Sequence, residues 1–434
     1  MGIDNGKKGL VLVAVLWIVV VLTLIATTVG RSSRVDTKVC LARTDEFRCK
    51  WACRAGTETA IAVLNEDGRA SDSLTDLWSD NEEDFNDVPL QRCSFTVRVA
   101  DEAGKLNVNT ATKDQFMELP YMTEEIAEAI IDWRDKNDTP HQAGVEGGYY
   151  ENMKFGYAIR NGPFRTIREL LLVKGVTAEL LYGEDTNFNS ELDYNERDGD
   201  KTSPADDGDD ELDKGWIAYL TCYSYDWNKD AGGSERININ EADEKQLKKS
   251  LKISKSHAKW IVDNRKKKKY KSIADLINDK SPKKAKKKPK KDSDKAEPLD
   301  LETFYKIADK ITISNNKKIR GRVNINTATK VVLAALLGGD EAAERLADEI
   351  ITHRKGLISG MRSIAELMKV GSVKIKDFKK IANYITTRSD VFTVRSFVTA
   401  DGNKLNQAPP QTEAVVDRSS KPGKILYWYQ EAIK

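Results

Sequence analysis

The sequence predicts an α+β protein, with a long N-terminal helix packed on an antiparallel sheet and a large helical domain inserted into that sheet. Three observations predict it. An uncharged apolar run passes into an amphipathic stretch without a break until about residue 65. An alternating apolar segment lies at residues 93–101, and further strand-like segments lie beyond 389. Between them, three copies of one helical unit recur. With 434 residues the chain exceeds one small core, so two or three subdomains are expected.

The helix comes first. Residues 10–29 read LVLVAVLWIVVVLTLIATTV and carry no charge. As a helix they span roughly 30 Å, the thickness of a bilayer core. The run is too long for a signal-peptide core, and no A-x-A site follows it. A polar leader ending in Lys7-Lys8-Gly9 precedes it. Beyond it, Val39, Leu41, Phe47, Trp51, Ala55, Ala60, Ile61, Val63 and Leu64 recur near helical spacing, and Asn65-Glu66-Asp67-Gly68 supplies a stop. Such a helix, from about residue 10 to 65, is on the order of 80 Å long. Arg31, Arg34, Lys38 and Arg43 follow the span. Charge counting alone would therefore turn its C-terminal side to the cytoplasm.

The repeats come next. The first copy reads KLNVNTATKDQFMEL, EEIAEAIIDWRD and GPFRTIRELLLVKGVT. The second reads RININEADEKQLKKSL, HAKWIVDNRKK and YKSIADLIND, and the third RVNINTATKVVLAALL, RLADEIITHRKG and MRSIAELMKVGSV. From the first Asn of each N-x-N to the Arg at the helix end the spacing is 27, 27 and 30 residues (Asn107 to Arg134, Asn238 to Arg265, Asn324 to Arg354). Each unit predicts a short strand, two amphipathic helices and a further short helix, with Asn109-Thr110 and Asn326-Thr327 as helix N-caps. The pattern resembles the helix-hairpin-helix unit. That unit binds nucleic acid through backbone N–H groups freed by hairpin glycines. Here only the third copy has paired glycines, Gly338-Gly339. The repeats therefore read as structural.

CSFTVRVAD at 93–101 and WIAYLTCYSYD at 216–226 read as strands, as do DVFTVRSFVTAD, TEAVVDR and KILYWYQE near the C-terminus. Residues 184–213 hold thirteen acidic and two basic side chains, and 280–295 hold nine lysines. The lysine run, in a Pro-rich stretch, predicts a disordered loop over 280–298. The net charge of +2 points to no partner class. Within the acidic stretch, DTNFNSELDYNE at 185–196 matches a twelve-residue calcium loop. Asp185, Asn187, Asn189, Glu191 (through its carbonyl), Asp193 and Glu196 fall on positions 1, 3, 5, 7, 9 and 12. Ser190 stands where the turn prefers Gly. A second cation near Asp207, Asp209, Glu211 and Asp213 is a lesser expectation. The five cysteines, Cys40, Cys49, Cys53, Cys93 and Cys222, cannot all pair, and no CxxC is present. Three scattered histidines give no support to a His-based centre. No G-x-S-x-G, H-E-x-x-H or P-loop occurs, so no enzyme is expected.

A basic leader, a Gly, an immediate apolar helix and an amphipathic half resemble type IV pilin-like proteins. That resemblance implies cleavage by a prepilin peptidase between Gly9 and Leu10, with methylation, and a pilin-like fold. Most pilins carry a Glu five residues into the mature chain. Here Ala14 stands there, which suits a subunit with no neighbour in that direction. The segment 129–150, AIIDWRDKNDTPHQAGVEGGYY, with YAIRNGPFRTIREL, closely resembles the alpha-domain of the type II secretion minor pseudopilin K family. Gly104, Asn107, Asn109, Asp132, Trp133, Asp135, Gly144, Glu146, Tyr149, Tyr150, Asn161, Pro163, Phe164 and Leu170 carry the match.

The resemblance implies a single-pass inner-membrane protein with a periplasmic soluble part, structural Ca2+ in the loop region, and minor pseudopilins of types I and J as partners. Partners would also include the peptidase and membrane lipid, but not nucleic acid. The expected divisions are a leader (1–9), the helix (10–65), the first part of the sheet (66–106) and a first repeat with the acidic loop (107–213). A sheet strand (214–230), second and third repeats (231–312, 313–388) and C-terminal strands (389–434) follow. The alternative reading is a membrane-anchored helix-hairpin-helix DNA receptor of the competence type. The long amphipathic helix, the insertion and the terminal strands disfavour it.

Overall fold

The computed structural model describes residues 5–185, 188, 192–197, 199–201, 208–277, 296–400 and 411–430. Helix α1 (Asn5–Glu66) is continuous through the apolar run and beyond it. At 62 residues it is about 90 Å long. From Cys49 onward one face is buried: Cys49, Ala52, Cys53, Ala60, Ile61 and Leu64, at the three- and four-residue spacing of a helix seated on a core. One turn, α2 (Glu82–Phe85), is capped by Asn81, whose Oδ1 accepts from Asp84 N at 3.0 Å, and it buries Phe85. β1 (Val88–Leu90) and β2 (Cys93–Asp101) form an antiparallel hairpin. Alternation along β2 turns Cys93, Phe95 and Val97 inward.

The chain then leaves the sheet and builds three closed units on one plan. In the first, β3 (Leu106–Asn107) is followed by α3 (Lys113–Met117), α4 (Glu124–Arg134), α5 (Gly147–Glu151), a 3-10 turn Ile167–Leu172 and α6 (Ala178–Tyr182). β4 (Leu220–Thr221) then returns parallel to β3. After β5 (Tyr225–Trp227), the second unit runs β6 (Ile237–Asn238), α7 (Glu244–Leu251), α8 (Lys255–Lys267), α9 (Leu301–Ile307) and β7 (Ile311–Thr312), with β7 parallel to β6. After β8 (Lys318–Arg320), which pairs with β5, the third runs β9 (Val323–Asn324), α10 (Lys330–Leu337), α11 (Glu341–Lys355), α12 (Ile375–Ile381) and β10 (Ile385–Thr386), parallel to β9. One continuous apolar core joins the units, including Ile130, Leu170, Ile261, Leu276, Ile350 and Phe378.

The repeated residues explain the repeated geometry. In each unit the first Asn of N-x-N accepts the N–H two residues on: Asn107 from Asn109 (2.9 Å), Asn238 from Asn240 (2.9 Å), Asn324 from Asn326 (3.1 Å). The second Asn clamps a distant segment with both ends of its amide. Asn109 pairs with the backbone of Phe164, Asn240 with Tyr270, and Asn326 with Met361. The helix-end arginine then donates to two carbonyls just past the motif. Arg265 reaches Ile239 O (2.9 Å) and Ala242 O (2.6 Å), Arg354 reaches Ile325 O and Ala328 O (both 2.8 Å), and Arg134 reaches Val108 O and Ala111 O. Asn109 and Asn326 are therefore clamps and not the expected N-caps. The caps are Thr112, Asp243 and Thr329, two or three residues later. A short polar residue near a helix start suggested a cap, but long-range backbone partners compete for the same amide.

β11 (Val391–Ala400) re-enters beside β2, and β12 (Gln411–Asp417) and β13 (Lys424–Gln430) complete a five-stranded sheet of order β1-β2-β11-β12-β13. Phe392 lies opposite Asp101, so the helical domain is inserted at one end of two paired strands. Residues 216–226 are a correction. They form a 3-10 turn (Trp216–Ala218), β4 and β5, and none joins this sheet. The apolar content that suggested a sheet strand serves the helical core, where Trp216 and Leu220 are buried. The lysine run lies outside the described residues. α1 sits on the sheet at Gly56. A Cβ there would lie 2.3 Å from Ser396 Oγ and 2.9 Å from the Phe95 ring.

Candidate functional site

Two features could carry function, the apolar end of α1 and the acidic loop. In α1 the sequence Leu10 to Val29 has no partner within the chain, and Leu10, Leu12 and Trp17 are 76, 71 and 65% exposed. The helix is long and apolar enough to cross a membrane. Gly9 and Leu10 both lie within it. Beyond the apolar span, Leu41, Phe47 and Trp51 remain exposed although the sequence places them on an apolar stripe. Only the last turns of the stripe meet the sheet. An unpartnered apolar stripe on a projecting helix is a surface for other helices.

The acidic loop is tied at its base. Glu184 N donates to Asp213 O, and Asp213 N donates to the Glu184 carboxylate, both at 3.0 Å. Gly183 and Gly215 pack so closely that a Cβ at Gly183 would lie 2.4 Å from Gly215 N. Within the loop, Asp193 opens a 3-10 turn (Tyr194–Glu196), and its N–H donates to Glu196 Oε2 at 3.1 Å. Phe188 anchors the loop, its ring 4.7 Å from the Arg395 guanidinium on β11. The loop's first and last acids, Asp185 and Glu196, are both buried, at 7 and 1% exposure. Burying two carboxylates is costly unless positive charge or hydrogen bonds offset it. Of the other residues predicted to hold cations, Asn187, Asn189, Glu191 and Asp207 lie outside the described residues. Asp209 accepts from Glu211 N at 2.7 Å, and Tyr121 Oη lies 3.4 Å from the Asp213 carboxylate.

Two buried ionic networks stand out, and neither was read from the sequence. Arg418, fully buried, pairs with Asp72 and with Asp67 (2.7 Å) and donates to Ser389 O. Burial works against its charge, yet Asp72 and Asp67 outweigh that and hold its pKa above the ordinary arginine value. Asp226 takes Arg236 and Arg322, each at 2.7 Å. Despite burial, those two cations hold it below the usual carboxylate range. The partners are ten to several hundred residues apart, so no local pattern announces them.

The hairpins test the nucleic-acid reading. All three turn through left-handed backbone, at Tyr121, Lys252 and the pair Gly338-Gly339. The glycine pair is not open to a phosphate. A Cβ at Gly339 would fall 1.9 Å from either Glu118 carboxylate oxygen, so an acid of the first repeat covers that turn. Asp340 and Glu344 add negative charge there and, with burial as the larger cause, raise the Glu118 pKa.

Parts of the chain are similar to known proteins. Residues 104–182 and 323–388 match models described as type II secretion system protein K, and residues 232–281 match a helix-hairpin-helix motif. A type II secretion system protein K from Klebsiella pneumoniae is 24% identical over 200 residues, which cover 41% of this chain and 60% of that protein. The chain thus spans less than two thirds of that relative's length. The solved GspK-GspI-GspJ complex from enterotoxigenic Escherichia coli contains a chain that aligns over 90% of this one and 99% of its own length. The identity there is 14% and the TM-score 0.48.

Proposed function

We propose that this chain, which belongs to the type II secretion system protein K family, is a minor pseudopilin that caps a secretion pseudopilus. The observation that carries the reading is α1. Its apolar half has no partner in the chain, while its last turns are built into the sheet and cannot be shed as a signal peptide would be. One end is free for lipid and for neighbouring helices, and the other is fixed to a sheet that bears a bulky helical domain. Single-pass insertion in the inner membrane, a periplasmic soluble part and contact with pseudopilins of types I and J follow from this reading. Its work is assembly, and no catalytic step is assigned to it.

The test is the mature N-terminus, read from membranes of cells with and without a prepilin peptidase. Peptidase-dependent appearance of Leu10 is expected. An uncut Met1, or cleavage beyond residue 29, would overturn the reading. The competence-type DNA receptor is disfavoured by the acid that covers Gly339. Salt-dependent DNA binding by the soluble region would restore it.

Ca2+ in the acidic loop belongs to the same reading. Burial of both Asp185 and Glu196 suits a hard cation with oxygen ligands. These two, with Asp193, Asn187, Asn189 and the Glu191 carbonyl, would hold it. The cation would offset loop charge and stiffen the base of the loop. A second cation near Asp207, Asp209, Glu211 and Asp213 would add to this. A rise in melting temperature with Ca2+, lost in Glu196→Gln, is expected. No response to Ca2+ would remove the ion from the account.

A further inference from the structure

Among the described residues, two groups of three metal-ligating side chains converge so that their ligand atoms lie within 4.8 Å of one another. Asp67, Asp72 and Asp76 form one, and there Arg418 already supplies the cation. Asp132, Asp135 and His141 form the other, and no lysine or arginine of the described residues is ion-paired to them. Two neighbouring cations are engaged elsewhere. Arg134, between the two aspartates, points back to the carbonyls of Val108 and Ala111, and Lys113 pairs with Glu124 and Glu128. Asp132 is fully buried, and the chain folds over it so tightly that a Cβ at Gly144 would lie 1.9 Å from Asp132 Oδ2. In this arrangement His141 Nδ1 hydrogen-bonds directly to Asp132.

A second observation comes from Glu146. It is 93% buried, and neither carboxylate oxygen has a hydrogen-bond partner. It stands at the N-cap position of α5 without capping the helix. The charges around it are those of Asp132, Asp135, Asp138 and His141. A buried carboxylate under the influence of three more acids is unfavourable unless a cation offsets them.

We propose that Asp132, Asp135 and His141, with Glu146 as a nearby fourth carboxylate, form a binding site for one divalent cation of the zinc class. Carboxylate oxygens with one imidazole suit such an ion, whose bonds of about 2.0–2.2 Å bring ligand atoms within about 4.4 Å of one another. Binding replaces the His141–Asp132 hydrogen bond with two metal bonds, and any proton they share goes to solvent. The cation would fasten residues 135–146 across α4 and α5. There Trp133, Tyr150 and Phe164 already pack, the Trp133 and Phe164 rings stacked 6.0 Å apart. The site lies outside the acidic loop and does not depend on the pseudopilin reading.

The test uses the full chain in detergent, stripped with chelator and titrated with Zn2+, followed by bound metal and by melting temperature. One bound Zn2+ per chain and a raised melting temperature are expected. Asp135→Asn, His141→Ala and Glu146→Gln should each weaken binding roughly tenfold or more. Glu196→Gln, in the acidic loop, should leave it unchanged. Glu146→Gln has a signature that misfolding cannot imitate. It removes an unmatched charge, so the stripped variant should melt above the stripped parent yet show little further rise with Zn2+. Failure of the stripped parent to take up Zn2+ would overturn the site, as would loss of binding only with Glu196→Gln or an unaltered Zn2+ response in Glu146→Gln.

Discussion

Arg134, Arg265 and Arg354 show how a single residue type can hold a repeat together. Each guanidinium binds two carbonyls that strand and helix leave unmatched. Burial lowers the pKa of Arg134 and of Arg354 to about 10, so both keep their charge at neutral pH. Arg354→Met would strand two carbonyls while preserving bulk. We expect a loss of about 2–4 kcal/mol in urea unfolding of the soluble region; a loss below about 1 kcal/mol would show that water replaces the arginine. A carboxylate acts in the opposite sense. Burial, only partly offset by Arg418, raises Asp390 to about 6, and Asp226 and Asp417 add to the rise. Its folded pKa lies above its unfolded one, so the folded chain holds the proton more tightly. Its contribution to stability is complete below about pH 4 and is lost as pH rises through about 6. Asp390→Asn should therefore gain on the parent by about 2 kcal/mol between about pH 4 and pH 7. A difference that stays constant with pH would contradict this.

At the scale of elements, the seat of α1 depends on the absence of one side chain. Gly56 lets the helix approach β2 and β11 until Ser396 Oγ and the Phe95 ring fill its place. Gly56→Val should lift the helix and cost about 1–3 kcal/mol. Ser396→Gly should recover part of that in the double variant, because the two positions share one space. Additive losses in the cycle would refute the contact. The elements were legible to unequal degrees. The α1 run, the alternation in β2 and the three N-x-N to Arg spacings could be read because each is a local period. The fate of residues 216–226 could not, since an apolar aromatic stretch fits a sheet or a helical core equally well. Nor could the divalent site: Asp132 and Glu146 are visible in the sequence, but only the fold over Gly144 brings His141 to them. The ends of the loop expected to bind calcium are described and buried, while most of its middle lies outside the described residues.

At the scale of the molecule, the helical domain enters after Asp101 and leaves before Phe392, which face each other across β2 and β11. Without it, the strands β1, β2, β11, β12 and β13 would succeed one another in sequence as they do in space, a plain antiparallel meander under the end of α1. The insertion is what makes the sheet non-local. Both domains share buried polar groups at the junction. Asp101 accepts from Asn324 (2.9 Å), Thr327 and Ser389 (both 2.6 Å), and Arg418 reaches Ser389 O. The sheet domain nonetheless has its own core, with Trp78, Phe85, Phe95, Val97, Phe392 and Val416 packed under α1. We therefore expect that replacing residues 102–391 with Asn-Gly, a turn whose twist suits a two-residue hairpin, leaves a protein that still folds cooperatively. It should fold faster than the parent, because the strands now meet across short loops. It should also be less stable, because Asp101 and Arg418 lose partners. A sharp melt with near-ultraviolet dichroism from Trp78 and Trp428 is the expected result. A compact product without fixed side-chain signals would show instead that the sheet needs the helical domain to define its packing, and that the two are one folding unit.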